Sequence, residues 1–351
     1  MRNFNNIGRV KVFINDPNKK SFFKIIKEVF VIIKAKREIP FYYFKYLYRK
    51  EVKNYLDYLS TGEINAIGNS KLLHKPAYRS LLDNKLFFSL LLEKSSLHTP
   101  KLVSYNLGNS FHYNNTNRQI FGKAELIEFF ENVFKANKLE GLFLRPLSDY
   151  GGKGCFKLTR NHLKKEIDAI IDLIFKGSYV HTKIIKQHEE IDKIHNRSVS
   201  TMRIISLITS SGQAEIIGAA MRFGVGSSVV DNASSGGFVV GVNVASGTLK
   251  RMGRYFLDYG GGEIYEHPDS GFKLEGFKIP YFKEACEEVL KGVTVIPDRF
   301  IGWDVAITPS GPTLVEANAA PHLPSFEIEF GGLLRNQHIK QLVAELKGQR
   351  V

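Results

Sequence analysis

Residues 300–318 constrain the fold more than any other stretch. Phe300 to Thr308 (FIGWDVAIT) and Thr313 to Ala317 (TLVEA) are apolar, β-favouring runs separated by Pro309-Ser310-Gly311-Pro312. Proline presets φ and glycine permits a tight reversal, so the stretch predicts an antiparallel hairpin. Strand side chains alternate faces with period two, which places Asp304, Glu316 and Asn318 on one face. Two carboxylates and an amide oxygen amid otherwise apolar residues are costly unless partnered. Oxygen donors with no His or Cys among them suit a divalent cation such as Mg²⁺; a solvated strand face is the alternative.

A second hairpin is predicted upstream, where the strands Leu142 to Arg145 and Cys155 to Leu158 flank Asp149-Tyr150-Gly151-Gly152-Lys153-Gly154. Glycines let backbone N–H groups approach phosphates closely, and Arg145 and Lys153 add positive charge. No GK[ST] opens a helix here, so this is not a Walker loop, and an inert turn is the competing reading. Helical spacing marks Leu82 to Leu97, Ala124 to Asn137, His162 to Phe175, Phe282 to Lys291 and His338 to Leu346. Extended segments are expected at Lys101 to Tyr105, Tyr179 to Ile185, Arg203 to Thr209, Ala214 to Arg222 and Val239 to Val244. Helices alternating with hairpins give an α+β class.

The N-terminal region is basic and aromatic. Phe22, Ile25, Ile26, Val29, Phe30 and Ile33 recur at helical spacing beside Lys24, Lys27 and Lys34. Pro40 separates this helix from a second expected over Phe41 to Leu59, and Thr61 to Ser70 reads as a polar stretch. Packing on the main body and docking on an anionic membrane are both compatible with that pattern. Across 351 residues, 49 Lys and Arg against 35 Asp and Glu give +14, so partners carry negative charge; no nucleic-acid recognition module is visible. Cys155 and Cys286 stand far apart, which excludes a disulfide framework or a thiolate zinc site and suits a reducing, cytoplasmic setting. The N-terminal residues lack the apolar core of a secretory signal. The most apolar stretches, Val29 to Ile33 and Leu86 to Leu92, fall well short of the roughly 20 residues a spanning helix needs.

Seven islands in order extend the pattern. They are Asp83-Asn84-Lys85 with Thr99-Pro100, the glycine hairpin, Gln187-His188-Glu189-Glu190, Ser198 to Arg203, Val230-Asp231-Asn232 with Ser235-Gly236-Gly237, His267-Pro268-Asp269, and Gly302-Trp303-Asp304 with Val315 to Pro321. Together they resemble the ATP-grasp superfamily, and closely its sugar-transfer-associated branch, from about Asp83 to Leu334. The resemblance implies an N-terminal helical region at 1–97, a small lobe with the phosphate lid at 98–182, and a large lobe at 183–351. It implies ATP held between the lobes, and two Mg²⁺ ions, with Mn²⁺ as a substitute, on Asp304, Glu316 and Asn318.

Carried over residue by residue, Lys85 and Arg145 become phosphate-contacting cations, although the second is more usually Lys in the superfamily. Gly151, Gly152, Lys153 and Gly154 become the lid, with Lys153 also among the catalytic residues. The backbone of Thr182, Lys183 and Ile184 meets adenine, and Gln187 the ribose. Arg203 faces the transferred phosphate, and Arg222 with Asn232, Gly236 and Gly237 lines the acceptor pocket. His188, His267 and His322 are weighed as proton acceptors, with structural roles as the alternative. The implied activity is ligation of a carboxylate to an amine through an acyl phosphate. The branch points to a saccharide carboxylate of uronic-acid type, joined to an amino acid or amine in surface polysaccharide synthesis at the inner membrane face. A sugar phosphotransferase, a dipeptide ligase and a non-catalytic nucleotide or polyanion binder are the rivals.

Overall fold

Capping chemistry sets the N-terminal helices. The computed structural model describes residues 12–148, 154–226, 231, 236–255 and 262–348. Helix α1 (Phe22–Lys36) stops at Arg37, which takes a left-handed φ of 55°. The second long helix expected over Phe41 to Leu59 does not form. Short 3₁₀ turns at Phe41–Lys45 and Tyr55–Asp57 stand there instead. The reason is burial: Tyr46, Leu47 and Tyr48 are all buried, and three consecutive side chains cannot share one helix face.

The polar stretch after it is helical, not a loop. Helix α2 (Thr61–Asn69) is nucleated by a capping box in which Ser60 Oγ accepts from Glu63 N–H and the Glu63 carboxylate accepts from Ser60 N–H. A separate short helix, α3 (Pro76–Leu82), comes next. The helix expected over Leu82 to Leu97 forms as α4 (Lys85–Lys94), started by Asn84, which caps it through the N–H groups of Leu86 and Phe87.

The first sheet contains β1 (Leu102–Leu107), β2 (Ser110–Tyr113), β3 (Thr116–Gln119), β4 (Gly141–Pro146), β5 (Phe156–Thr159) and β6 (Ser178–Lys183). It is antiparallel in the order β3-β2-β1-β6-β4-β5. Helices α5 (Lys123–Asn137) and α6 (Leu163–Lys176) bury Phe130, Phe134, Ile167 and Ile174 against Phe111, Leu142, Leu144 and Leu158. A one-turn helix, α7 (Glu189–Asp192), lies in the crossing to the second sheet.

That sheet contains β7 (Thr201–Ile208), β8 (Ala214–Phe223), β9 (Phe238–Asn243), β10 (Thr248–Tyr255), β11 (Glu263–Ile264), β12 (Phe300–Thr308) and β13 (Gly311–Asn318). It too is antiparallel, in the order β11-β10-β9-β8-β7-β12-β13. One face packs Met202, Ile204, Trp303 and Val305 under α8 (Phe282–Val295). The other packs Ile205, Leu207 and Phe300 against α9 (Leu323–Phe330) and α10 (Gln337–Gly348), joined by Leu59, Ile67 and Leu73 from the N-terminal region. Period-two alternation therefore splits β7 and β12 between two cores, and the stretch of the second face beyond its apolar part carries the polar site. No described helix is long and apolar enough to cross a membrane.

Candidate active site

The central strand of the site is β12. Its register sets Asp304 between Arg203 of β7 and Glu316 of β13, and Gly302 between Ile205 and Asn318. Asp304, Glu316 and Asn318 thus share a face, opposite the fully buried Trp303. Gly302 admits no side chain, since a Cβ there would lie 2.6 Å from Pro321 Cβ and 3.1 Å from Arg203 Cδ. The missing Cβ lets the chain after β13 fold back over the site.

Asp304 is almost wholly buried and carries two guanidinium groups. Arg203 donates to both carboxylate oxygens, through Nη2 at 3.0 Å and through Nε, and Arg222 Nη2 reaches Oδ2 at 2.9 Å. Burial pushes the Asp304 carboxyl up, but Arg203 and Arg222 outweigh it and hold the group well below the usual carboxylate range. Burial also works against the charge on Arg222, and Asp304, Asp231 and Glu316 more than offset it, so its pKa is raised.

Residues 201 and 231 complete the network, and neither was singled out from the sequence as a site residue. Asp231 accepts from Thr201 N at 2.7 Å and Oγ1 at 2.5 Å, and lies 3.7 Å from Arg222 Nε, which itself donates to Thr201 Oγ1 at 3.1 Å. Burial raises the pKa of Asp231 despite Arg222 and Thr201. The only sequence signal for it was its place inside the island Val230-Asp231-Asn232.

The first sheet contributes from the opposite side. Lys85 opens α4, its N–H donates to Leu147 O at 3.0 Å, and its Nζ lies 3.5 Å from Glu316 Oε2. Arg145, on β4, is buried and crosses to β13 by donating from Nη1 to Val315 O at 2.9 Å. Its Nε and Nη2 are buried with no hydrogen-bond partner among the described residues, and burial lowers its pKa, with Glu316 partly offsetting. An unpaired buried guanidinium is costly, so this position is short of an anion. Four cations and three carboxylates therefore meet where the two sheets approach.

The remaining expected residues are placed as follows. Gly154 has φ of 69°, while Gly151, Gly152, Lys153 and Asn232 lie outside the described residues. Thr182 is buried with Oγ1 donating to Phe143 O at 3.3 Å, Lys183 N–H donates to Lys101 O at 2.9 Å, and Ile184 is exposed. Gly236, with φ of 97°, has open space where a Cβ would stand, and Gly237 is buried. Gln187 is not brought into the network. Its Nε2 donates to Asp192 Oδ1 and His195 O, and its Oε1 accepts from Ser200 N–H, so both ends of the amide hold the turn before β7. His267 is buried, donates from Nε2 to Gly224 O and accepts at Nδ1 from Asp269 N–H. His188 Nδ1 accepts from Glu190 N–H at the start of α7.

A hard divalent cation fits what is present. All three candidate ligands offer oxygen, from the carboxylates of Asp304 and Glu316, which face each other in the β12–β13 register, and from the side-chain carbonyl of Asn318 on the same face. The Asn318 amide nitrogen, buried with no partner among the described residues, is a donor and suits an acceptor such as a phosphate oxygen. Two α+β lobes meeting over such a carboxylate hairpin form an ATP-grasp fold. The chain belongs to the sugar-transfer associated ATP-grasp family, whose model matches residues 70–341.

Among solved structures, VanG D-Ala:D-Ser ligase from Enterococcus faecalis is similar at 16% identity and a TM-score of 0.45, over 78% of this chain and 63% of that one. D-alanyl-alanine synthetase A from Vibrio cholerae O1 biovar eltor gives 12% identity and 0.45, over 78% and 66%. The ATP-grasp ligase PsnB complexed with minimal precursor gives 13% identity and 0.42, over 80% and 63%. The chain spans less than two thirds of the length of each of these three. No curated protein matches it.

Proposed function

We propose that the protein is an ATP-dependent carboxylate–amine ligase acting on a saccharide carboxylate of uronic-acid type, joined to an amino acid or amine in surface polysaccharide synthesis. The observation that carries this is that Lys85 reaches Glu316 and Arg203 and Arg222 reach Asp304, while Arg145, donating to Val315 O next to Glu316, has guanidinium atoms left without an anion. In this reading residues 98–182 and 183–351 are the two lobes, and 1–97 is the helical region that precedes them.

Lys85 and Arg145 hold the terminal phosphates of ATP, and residues 151–154 close over them. Thr182 to Ile184 offer backbone groups to adenine. Gln187 stays in its turn. Asp304, kept ionised by its two arginines, and Glu316 with Asn318 would hold two Mg²⁺ ions, or Mn²⁺ in their place. Bound Mg²⁺ offsets charge on the transferring phosphoryl group.

Attack of the substrate carboxylate on the γ-phosphorus releases ADP and leaves an acyl phosphate. Arg203 and Arg222 then face the oxyanion formed as the amine attacks the acyl carbon and phosphate departs. Arg222, with Asn232, Gly236 and Gly237, lines the acceptor side. No enzyme nucleophile is needed. Peripheral contact with an anionic membrane would bring a lipid-linked acceptor within reach.

Calorimetry of ATP binding with and without Mg²⁺ tests the nucleotide site. Lys85→Ala should weaken binding at least about tenfold, and Glu316→Ala should remove its Mg²⁺ dependence. A folded wild type that binds no ATP would sink the proposal. With uronic acids and amino acids supplied together, ADP release accompanied by an amide supports ligation, whereas a stable phosphate ester replaces it with a sugar phosphotransferase.

A further inference from the structure

Helix α1 is apolar on two sides, and the body of the protein covers only one. Ile25 and Ile32 face inward, as does Glu28, the helix's single acid. Glu28 is neutralised in place, since Lys20 Nζ donates to its Oε2 at 2.6 Å and Tyr43 Oη donates to the same oxygen at 2.7 Å. A second tie, Lys36 to Glu63 at 2.8 Å, holds the C-terminal end to α2. These contacts fix the roll of the helix about its axis.

The outward side is the unexplained one. Phe22, Phe23 and Phe30 are 70%, 83% and 68% exposed, and Ile26 and Ile33 are exposed with them. At about 100° per residue these five lie within an arc of roughly 100°, and Lys27 and Lys34 stand along its margin. Ile39 and Phe41, just past the helix end, are exposed too. An aromatic stripe of this size in water marks a surface that meets something apolar. Exposed Lys24, Lys27, Lys34 and Arg37 on the same element, with no exposed acid in α1, select an anionic apolar surface. A second copy of the chain fits worse, because it would set the same lysines against each other with no acid of α1 between them.

We propose that α1 docks flat on an anionic phospholipid bilayer, with Phe22, Phe23, Ile26 and Phe30 entering the acyl boundary and the flanking lysines lying among the headgroups. The face is preformed by the buried Lys20–Glu28–Tyr43 cluster, so docking requires no refolding of the helix. This deepens, and rests on, the reading that the enzyme works at a membrane face, but it does not depend on which reaction the site performs.

The test is flotation of the full chain with vesicles of phosphatidylcholine containing about one third phosphatidylglycerol, compared with phosphatidylcholine alone. Wild type should bind the anionic vesicles at least about tenfold better, and the double variant Phe23→Ser/Phe30→Ser should lose at least about tenfold of that binding while keeping its ATP affinity and Trp303 emission. Three results overturn the proposal: no flotation of wild type, equal flotation of wild type and variant, or a dimer seen by light scattering that the variant dissolves. ATP calorimetry on the same samples separates these failures from failure of the ligase reading.

Discussion

Glu327 offers a quantitative check on how the large lobe is held together. It lies on α9, 4% exposed, with Oε2 accepting from Leu59 N–H and Leu333 N–H at 3.2 Å each and Oε1 buried without a partner among the described residues. Burial pushes its carboxyl up to about 8, against 4.5 for an ordinary glutamate. A folded-state pKa above the unfolded one contributes stability that is fully present below about 4.5 and lost as pH rises through about 8. At about 1.4 kcal/mol per pH unit, wild type should lose about 2 kcal/mol between pH 6 and pH 8 from this group alone.

In Glu327→Gln the amide oxygen still accepts both N–H groups and nothing titrates. The variant should match wild type near pH 5 and exceed it by several kcal/mol at pH 8. The assay is urea unfolding followed by fluorescence of Trp303, the chain's single tryptophan, which is buried in the same lobe. Comparing the two proteins cancels other titrating groups, such as Glu329, which burial raises to about 7. Parallel pH dependence from 6 to 8 in both proteins would refute the reasoning.

Two further substitutions probe the site and its support. Asp304→Asn strips the charge that Arg203 and Arg222 share, and should cost about 3 kcal/mol in urea unfolding as well as Mg²⁺-dependent ATP binding; unchanged stability would mean the two guanidiniums are solvated. Gly292→Ala in α8 places a Cβ 2.8 Å from Trp303 Cη2, so an overpacking cost of about 1–3 kcal/mol should exceed the helix-propensity gain of about 1 kcal/mol. A lowered Tm with shifted Trp303 emission is expected, and a raised Tm would show that the indole moves aside freely.

What could be read from the sequence was local. Alternation along FIGWDVAIT and the Pro309-Ser310-Gly311-Pro312 turn determined the β12–β13 hairpin and the shared face of Glu316 and Asn318, because these signals lie between near neighbours in the chain. Asp304 joins that face through a one-residue register shift between Asp304 and Val305, which strict alternation does not supply. The β4–β5 hairpin and the amphipathic α5 and α6 were legible because their signals, too, lie between near neighbours. Ser60-x-x-Glu63 carried a helix-start signal that a polar reading of the segment passed over. Tertiary structure decided which strand lies beside which, and with it the pairing of Asp304 with Arg203 and Arg222, the place of Asp231 against Thr201, and the enclosure of Gln187 in its own turn. It also decided which half of α1 is covered, since helical period shows that Ile25, Ile26, Phe30 and Ile32 are apolar but not which of them the body buries. These outcomes depend on burial between segments far apart in the chain, and no local period encodes that.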